Sequence, residues 1–290
     1  MRDPQRTHPF MHVVPILHWN FDPIALSIGS FQLHWYGICW GIAFMAAEPS
    51  VRRRLALMDW TDVDVSTLLV YALLGAIVGA RLAHCFFYDP VFYLRHPLKI
   101  LAVWEGGLAS HGGALGMIVA LAWAVPRHAR GLPLLSLLDA TTFAAAFGGA
   151  LIRFANFLNS EIVGNPTSGA WGVVFDRVDP LPRHPVQLYE AVAYLMVLVL
   201  LRFVARRHDG LRRRGLLTGL FLALVFGART VIECWKTPQA SYEAGQWISV
   251  GQWLSVPFVL LGVALIVAAV SRGTKARTAS DAVATNSARR

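Results

Sequence analysis

Three arginines, Arg81, Arg153 and Arg229, lie inside long apolar runs of this 290-residue chain. A cation at bilayer depth costs about 2.5–3.5 kcal/mol on insertion scales, so it needs an ion pair, a reach to the interface or an anionic ligand. Guanidinium groups hold phosphate and carboxylate with paired, charge-assisted hydrogen bonds. The three runs share one direction, and at 1.5 Å per residue the arginines lie about 25, 28 and 21 Å along them, in the same half of the membrane. His111 and Glu190 stand near the starts of two oppositely directed runs, at the same level. Arg153, Asn156 and Asn159 follow at i, i+3 and i+6 on one helix face, and amides at this depth need hydrogen-bond partners. Arg229 and Glu233, four apart, can pair with each other. Tyr36, about 18 Å into the first run, is either a packed aromatic or part of the same layer. Together these groups suit binding of an anionic headgroup.

The elements that must carry them are membrane spans. The chain is 56% hydrophobic and 15% charged, with a mean hydropathy of +0.50, far below the roughly 25% charge of a soluble domain. Seven apolar runs are each long enough to cross a core of about 30 Å: 24–47, 64–88, 108–126, 134–157, 187–207, 215–235 and 250–271. An all-α polytopic membrane protein of seven transmembrane helices is expected, forming one domain over residues 1–271. Residues 272–290 are polar and are expected to be a disordered cytoplasmic tail. Residues 1–21 are expected to form neither a span nor a cleavable signal peptide.

Charge sets the orientation. Of the 26 Lys and Arg residues, 16 fall in one set of alternate loops and the tail, and seven in the opposite set with the N-terminus. Cytoplasmic loops carry the excess, which puts the N-terminus in the periplasm, the C-terminus in the cytoplasm and the protein in a bacterial inner membrane. The net charge of +9 then reads as orientation and attraction to anionic lipid rather than nucleic-acid binding. Cys39, Cys85 and Cys234 show no paired spacing, so neither a disulfide framework nor a metal site is expected. The segment 160–186 between the fourth and fifth spans, too short for a core of its own, lies on the periplasmic side as a lid or a plain loop.

These residues sit in strings that resemble the prolipoprotein diacylglyceryl transferase family over about residues 22–262. HWYGICW (34–40), GARLAHCFFY (79–88), WEGGLASHGGALG (104–116), RFANFLNSEIVG (153–164), WGVVF (171–175), RHPVQLYEA (183–191), ARTVIE (228–233) and GQWLS (251–255) occur in the family's order. The resemblance implies a periplasm-facing seven-helix bundle without metal or organic cofactor. It implies roles in substrate binding or catalysis for His111, Arg153, Asn156, Glu161, Gly164, Arg229 and Glu233, and importance for Tyr36 and Asp139. Arg81, Asn159 and Glu190 join the substrate-binding candidates by position. Two departures stand out. The family's Gly-Arg-x-Gly-Asn is Ile152-Arg153-Phe154-Ala155-Asn156 here, and its Phe-Arg-Glu-Pro-Asp-like run is Trp235-Lys236-Thr237-Pro238-Gln239.

The implied partners are phosphatidylglycerol, prolipoprotein signal peptides with a lipobox cysteine, and the bilayer. The implied reaction joins the cysteine thiol to a glyceryl carbon as a thioether while glycerol phosphate leaves. A thiol of ordinary pKa about 8.5 gains from a base, for which His111 is the candidate. Arg153 and Arg229 would stabilise the departing phosphate, Asn156 would orient oxygens, and Glu233 would hold Arg229. A non-catalytic lipid-binding relative and a transporter are the rival readings. The second is disfavoured by charges gathered toward one leaflet and by the lack of an internal repeat.

Overall fold

The computed structural model describes residues 16–29, 31–87, 89–103, 107, 109–207, 213–237 and 248–287, with side chains omitted at 31, 110, 111, 114, 250 and 273–287. Long apolar runs become helices, but the first one does not do so from its start. Ile24, Leu26 and Ile28 alternate with small residues, the period of a strand. Residues 24–34 accordingly form an antiparallel hairpin, β2 (Ile24–Ile28) and β3 (Phe31–His34). Gly29, at φ +58°, takes the left-handed turn conformation that glycine adopts without a side-chain clash. Helix α1 (Trp35–Ala56) therefore begins eleven residues later than expected and runs further. Tyr36 moves from mid-span to its first turn.

The remaining helices are α2 (Val65–Phe87), the short α3 (Pro90–Arg95), α4 (Ser110–His128), α5 (Leu134–Leu158), α6 (Val186–Arg206), α7 (Leu216–Ile232) and α8 (Val250–Ser287). Five described segments are long and apolar enough to cross a membrane: Val65–Phe87, Leu134–Leu158, Val186–Arg206, Leu216–Trp235 and Gly251–Arg272. The chain is a mostly helical, multi-pass membrane protein. Of the two other expected spans, α1 carries Glu48 and three consecutive arginines, and the apolar part of α4 is only Leu115–His128. The backbone of α8 continues past 271 to Ser287.

Two cores hold the bundle. Leu55, Leu68, Ala124 and Leu137 are buried where α1, α2, α4 and α5 meet, and Phe143, Leu198, Leu201 and Leu217 where α5, α6 and α7 meet. Asp139, 1% exposed, ties α5 to α7. Its carboxylate accepts from the backbone N–H of Gly215 (2.6 Å) and Thr218 (2.8 Å) and from the Thr218 hydroxyl (2.7 Å). A negative group thus caps the positive end of α7 from another helix.

Helices α2 and α4 cross with backbones in contact. Gly75, Gly79 and Ala83 on α2 and Gly112, Gly116 and Ala120 on α4 repeat every fourth residue, a small-residue pattern that permits close approach without an aqueous driving force. A methyl group at Gly79 or Gly116 would fall onto the partner helix's backbone. Gly116→Ala is therefore expected to cost about 1–3 kcal/mol, seen as a lower thermal midpoint in detergent, while Gly41→Ala, which meets nothing within 4 Å, leaves the midpoint unchanged. Equal midpoints for the two variants would refute the tight crossing.

Outside the spans, a three-stranded sheet orders β1 (Leu17–Trp19), β4 (Val173–Phe175) and β5 (Pro182–Arg183), with β1 and β4 parallel. Segment 160–186 thus borrows a strand from the N-terminal region and packs Val173 and Phe175 against Phe157 of α5. Trp19 Nε1 donates to the Phe157 carbonyl at 3.1 Å. This tethers the segment to the end of α5, where Arg153 lies.

Candidate active site

Helix α5 ends in a polar face. Arg153 Nη1 donates to Asn156 Oδ1 at 3.3 Å, and Asn156 Nδ2 donates to Glu161 Oε2 at 2.9 Å. Asn159, the α5 C-cap, donates to Glu161 Oε1 at 3.3 Å. Glu161 can reach back over the helix because the chain turns sharply there: Ser160 (φ 57°) and Ile162 (φ 54°) both hold left-handed conformations. For a β-branched residue such as Ile162 this is strained, a cost of about 1–3 kcal/mol that marks functional sites. Gln187, fully buried in the first turn of α6, fixes the turn by donating Nε2 to the Glu161 carbonyl at 2.6 Å.

Glu190, one turn further along α6, is fully buried between two cations. Arg153 Nε stands 2.9 Å from its Oε2, close enough for an ion pair though not aligned for a hydrogen bond, and Lys236 Nζ donates to its Oε1 at 2.9 Å. Lys236 also bonds Glu233 Oε2 at 3.0 Å. The sequence pairs Glu233 with Arg229, but the structure pairs it with Lys236. After Ile232 the chain tightens into a 3₁₀ turn, Glu233–Trp235, in which residues three apart eclipse, so the carboxylate meets Lys236 rather than the residue four back. Gly251 closes in on the same carboxylate, where a side chain at 251 would collide with it.

Arg229 is left in the last turn of α7 without a carboxylate partner among the described residues. It and Arg153 both act electrostatically on the hydroxyl of Tyr194, on α6 one turn beyond Glu190. Of the two arginines, Arg153 is braced by Glu190, and Arg229 is uncommitted among the described residues.

The other candidates fall in three places. Gly164 belongs to the scaffold of the site: it bridges to Lys236, and an added methyl group would meet the His184 carbonyl at 2.6 Å and the Trp235 carbonyl at 2.8 Å. Arg183 clamps this loop, donating to the Gly164 carbonyl (3.0 Å) and the Thr237 hydroxyl (3.3 Å). Its hydrogen bonds hold the Asp179 carboxyl below the usual range. Arg81, 3% exposed, donates to the carbonyls of Ile100 (3.0 Å) and Gly107 (3.2 Å) and to that of Lys99, beneath the Tyr93 ring. These contacts make it an anchor for the segment after α2. Tyr36 is half-buried in the first turn of α1, which packs along α5, and Asp139 serves α7 at the other end of α5. His111 is the second residue of α4, and its side chain lies outside the described residues.

Lys236, Gln187 and Tyr194 were not anticipated as site residues. The signal for two of them was present: Gln187, Glu190 and Tyr194, at i, i+3 and i+7 in and just after RHPVQLYEA, form one helix face. Lys236 reads as a loop charge until the 3₁₀ turn folds it inward.

A multi-helix membrane protein whose arginines and carboxylates assemble at one end of the bundle is built to handle a charged group at the membrane surface. The chain belongs to the prolipoprotein diacylglyceryl transferase family, whose model matches residues 23–268. It is 48% identical over 262 residues to the phosphatidylglycerol–prolipoprotein diacylglyceryl transferase of Tolumonas auensis, covering 90% of this chain and 100% of that one. The proteins of the same name from Chloroherpeton thalassium (41% over 265 residues) and Porphyromonas gingivalis (37% over 275 residues) each align with 90% of this chain and 97% of their own.

Proposed function

We propose that this protein transfers the diacylglyceryl group of phosphatidylglycerol to the lipobox cysteine of prolipoproteins, from a site opening to the periplasmic face of the inner membrane. The reading uses seven spans, counting α1 and α4, with the N-terminus periplasmic and the C-terminus cytoplasmic, as the basic-residue excess requires. What supports it, beside family membership, is the Arg153–Glu190 cluster together with Arg229, which has no carboxylate partner among the described residues. An uncommitted guanidinium in a bilayer is the natural counterpart of a lipid phosphate.

In the proposed step the thiolate sulfur attacks the glyceryl carbon attached to the phosphate. A C–S bond forms, the C–O bond breaks, and its electron pair leaves on the phosphate of glycerol phosphate. His111 is assigned the thiol proton, since an imidazole of ordinary pKa near 6.5 suits that transfer. Arg229 and Arg153 stabilise the growing phosphate charge in a water-poor site. Asn156, Asn159 and Glu161 hold the Arg153 face in shape, and Glu190, Glu233 and Lys236 brace Arg153 and the end of α7.

Spheroplasts depleted of their own transferase and expressing this chain should lipidate an added lipobox peptide carrying a membrane-impermeant charged tag. Inverted vesicles from the same cells should not. Absence of transfer in both would reject the function, and transfer only in inverted vesicles would reject the orientation.

A further inference from the structure

At the end of the bundle away from the Arg153–Glu190 cluster, four arginines gather where α1 and α6 finish. Along α6, Arg202 and Arg206 lie about 18 and 24 Å from Glu190. Arg54 of α1 stacks its guanidinium 3.9 Å from the centre of the Phe143 ring of α5. Its Nε is shut off from solvent and has no acceptor among the described residues. That Phe143 ring packs in one core with Leu201 and Ala205 of α6, the chain neighbours of Arg202 and Arg206, which brings the two arginines of α6 to the same end as Arg53 and Arg54. The described acids of α1 and α5 are committed elsewhere: Glu48 pairs with Arg52, and Asp139 caps α7. Like charges held this close with a donor left over are an incomplete arrangement, and an anion completes it.

We propose that Arg54, Arg202 and Arg206, with Arg53 at the margin, bind the phosphate of an anionic lipid headgroup. A phosphate supplies acceptors for several guanidinium groups at once. The same helix face distinguishes a lipid from free phosphate. Val192, Met196, Val199, Arg202, Phe203 and Arg206 recur at helical spacing along α6, and the four apolar members are more than half exposed. An acyl chain lying along that stripe places its headgroup at the arginines. The site is separate from the transfer site and binds lipid that is not consumed.

The test uses the purified full chain in detergent, with tetraoleoyl cardiolipin, dioleoyl phosphatidylcholine and inorganic phosphate as probes, read by native mass spectrometry and thermal midpoint. Each basic side chain near an anionic surface contributes on the order of 1 kcal/mol, so Arg202→Gln/Arg206→Gln should retain cardiolipin about tenfold less well or weaker still. Arg95→Gln, an exposed arginine of α3 outside both clusters, should retain it as the parent does. Without lipid, the double variant should melt at the same temperature as the parent or higher, because repulsion has been relieved. Equal cardiolipin retention by the double variant and the parent overturns the proposal. So does a lower lipid-free midpoint, which would make the arginines structural. Stabilisation by inorganic phosphate equal to that by cardiolipin overturns the lipid assignment.

Discussion

Arg153→Ala and Arg229→Ala are expected to lower diacylglyceryl transfer by about 10²- to 10³-fold per folded molecule, the usual loss when a preorganised charge is removed from a transition state. The two variants should differ in a second readout. Arg229 has no carboxylate partner among the described residues, so its removal should leave folded yield close to the parent's. Arg153 is one of two cations on buried Glu190, so its removal should reduce folded yield as well. Arg153→Lys keeps the charge and loses the planar fork, and should fall between parent and alanine variant in rate. The measurement is transfer from labelled phosphatidylglycerol to a lipobox peptide, normalised to monodisperse protein. Wild-type rates in both alanine variants would remove both arginines from the mechanism.

Glu190→Ala should do its damage through folding. Truncating one member of a buried ion-pair network leaves its partners desolvated and unpaired, a cost of about 3–5 kcal/mol. Here the abandoned groups are two cations, Arg153 and Lys236, within reach of a single carboxylate. Glu190→Gln keeps the shape and one acceptor, and should recover part of the folded yield while leaving Arg153 poorly held. Its surviving molecules should therefore show reduced turnover with the apparent affinity for phosphatidylglycerol also weakened. A thermal midpoint for Glu190→Ala within a degree of the parent's would mean that the network carries little of the stability assigned to it.

Residues spaced along a single helix were legible in the sequence. The Arg153–Asn156–Asn159 face and the level shared by Arg153 and Glu190 both appear in the structure, since a 1.5 Å rise turns sequence position directly into depth. What failed involved departures from regular helix. Treating 24–34 as helix put Tyr36 about 16 Å too far along α1, although the alternation of Ile24, Leu26 and Ile28 favours a strand. Carrying α7 straight past Ile232 paired Glu233 with Arg229, and one tighter turn gave Glu233 to Lys236. For Arg81, depth alone leaves two readings open. Depth shows that a buried cation needs acceptors, but not whether they come from a ligand or from the protein's own backbone. The carbonyls to which Arg81 donates lie 18–26 residues beyond it, where no periodicity could place them.

The bond between Asp139 and the start of α7 also bears on how the chain is made. Its acceptor and donors are separated by 76–79 residues, so α5 leaves the ribosome well before α7 exists. At roughly 5–20 residues per second that interval lasts about 4–16 s. Throughout it the carboxylate has neither the Gly215 and Thr218 amides nor the Thr218 hydroxyl, and an acid stranded in hydrocarbon is costly. The nascent α5 must therefore keep its Asp139 end in interfacial water or against the insertion machinery until α7 arrives. Closure of that contact then marks the moment at which the α5–α7 half of the bundle becomes a unit.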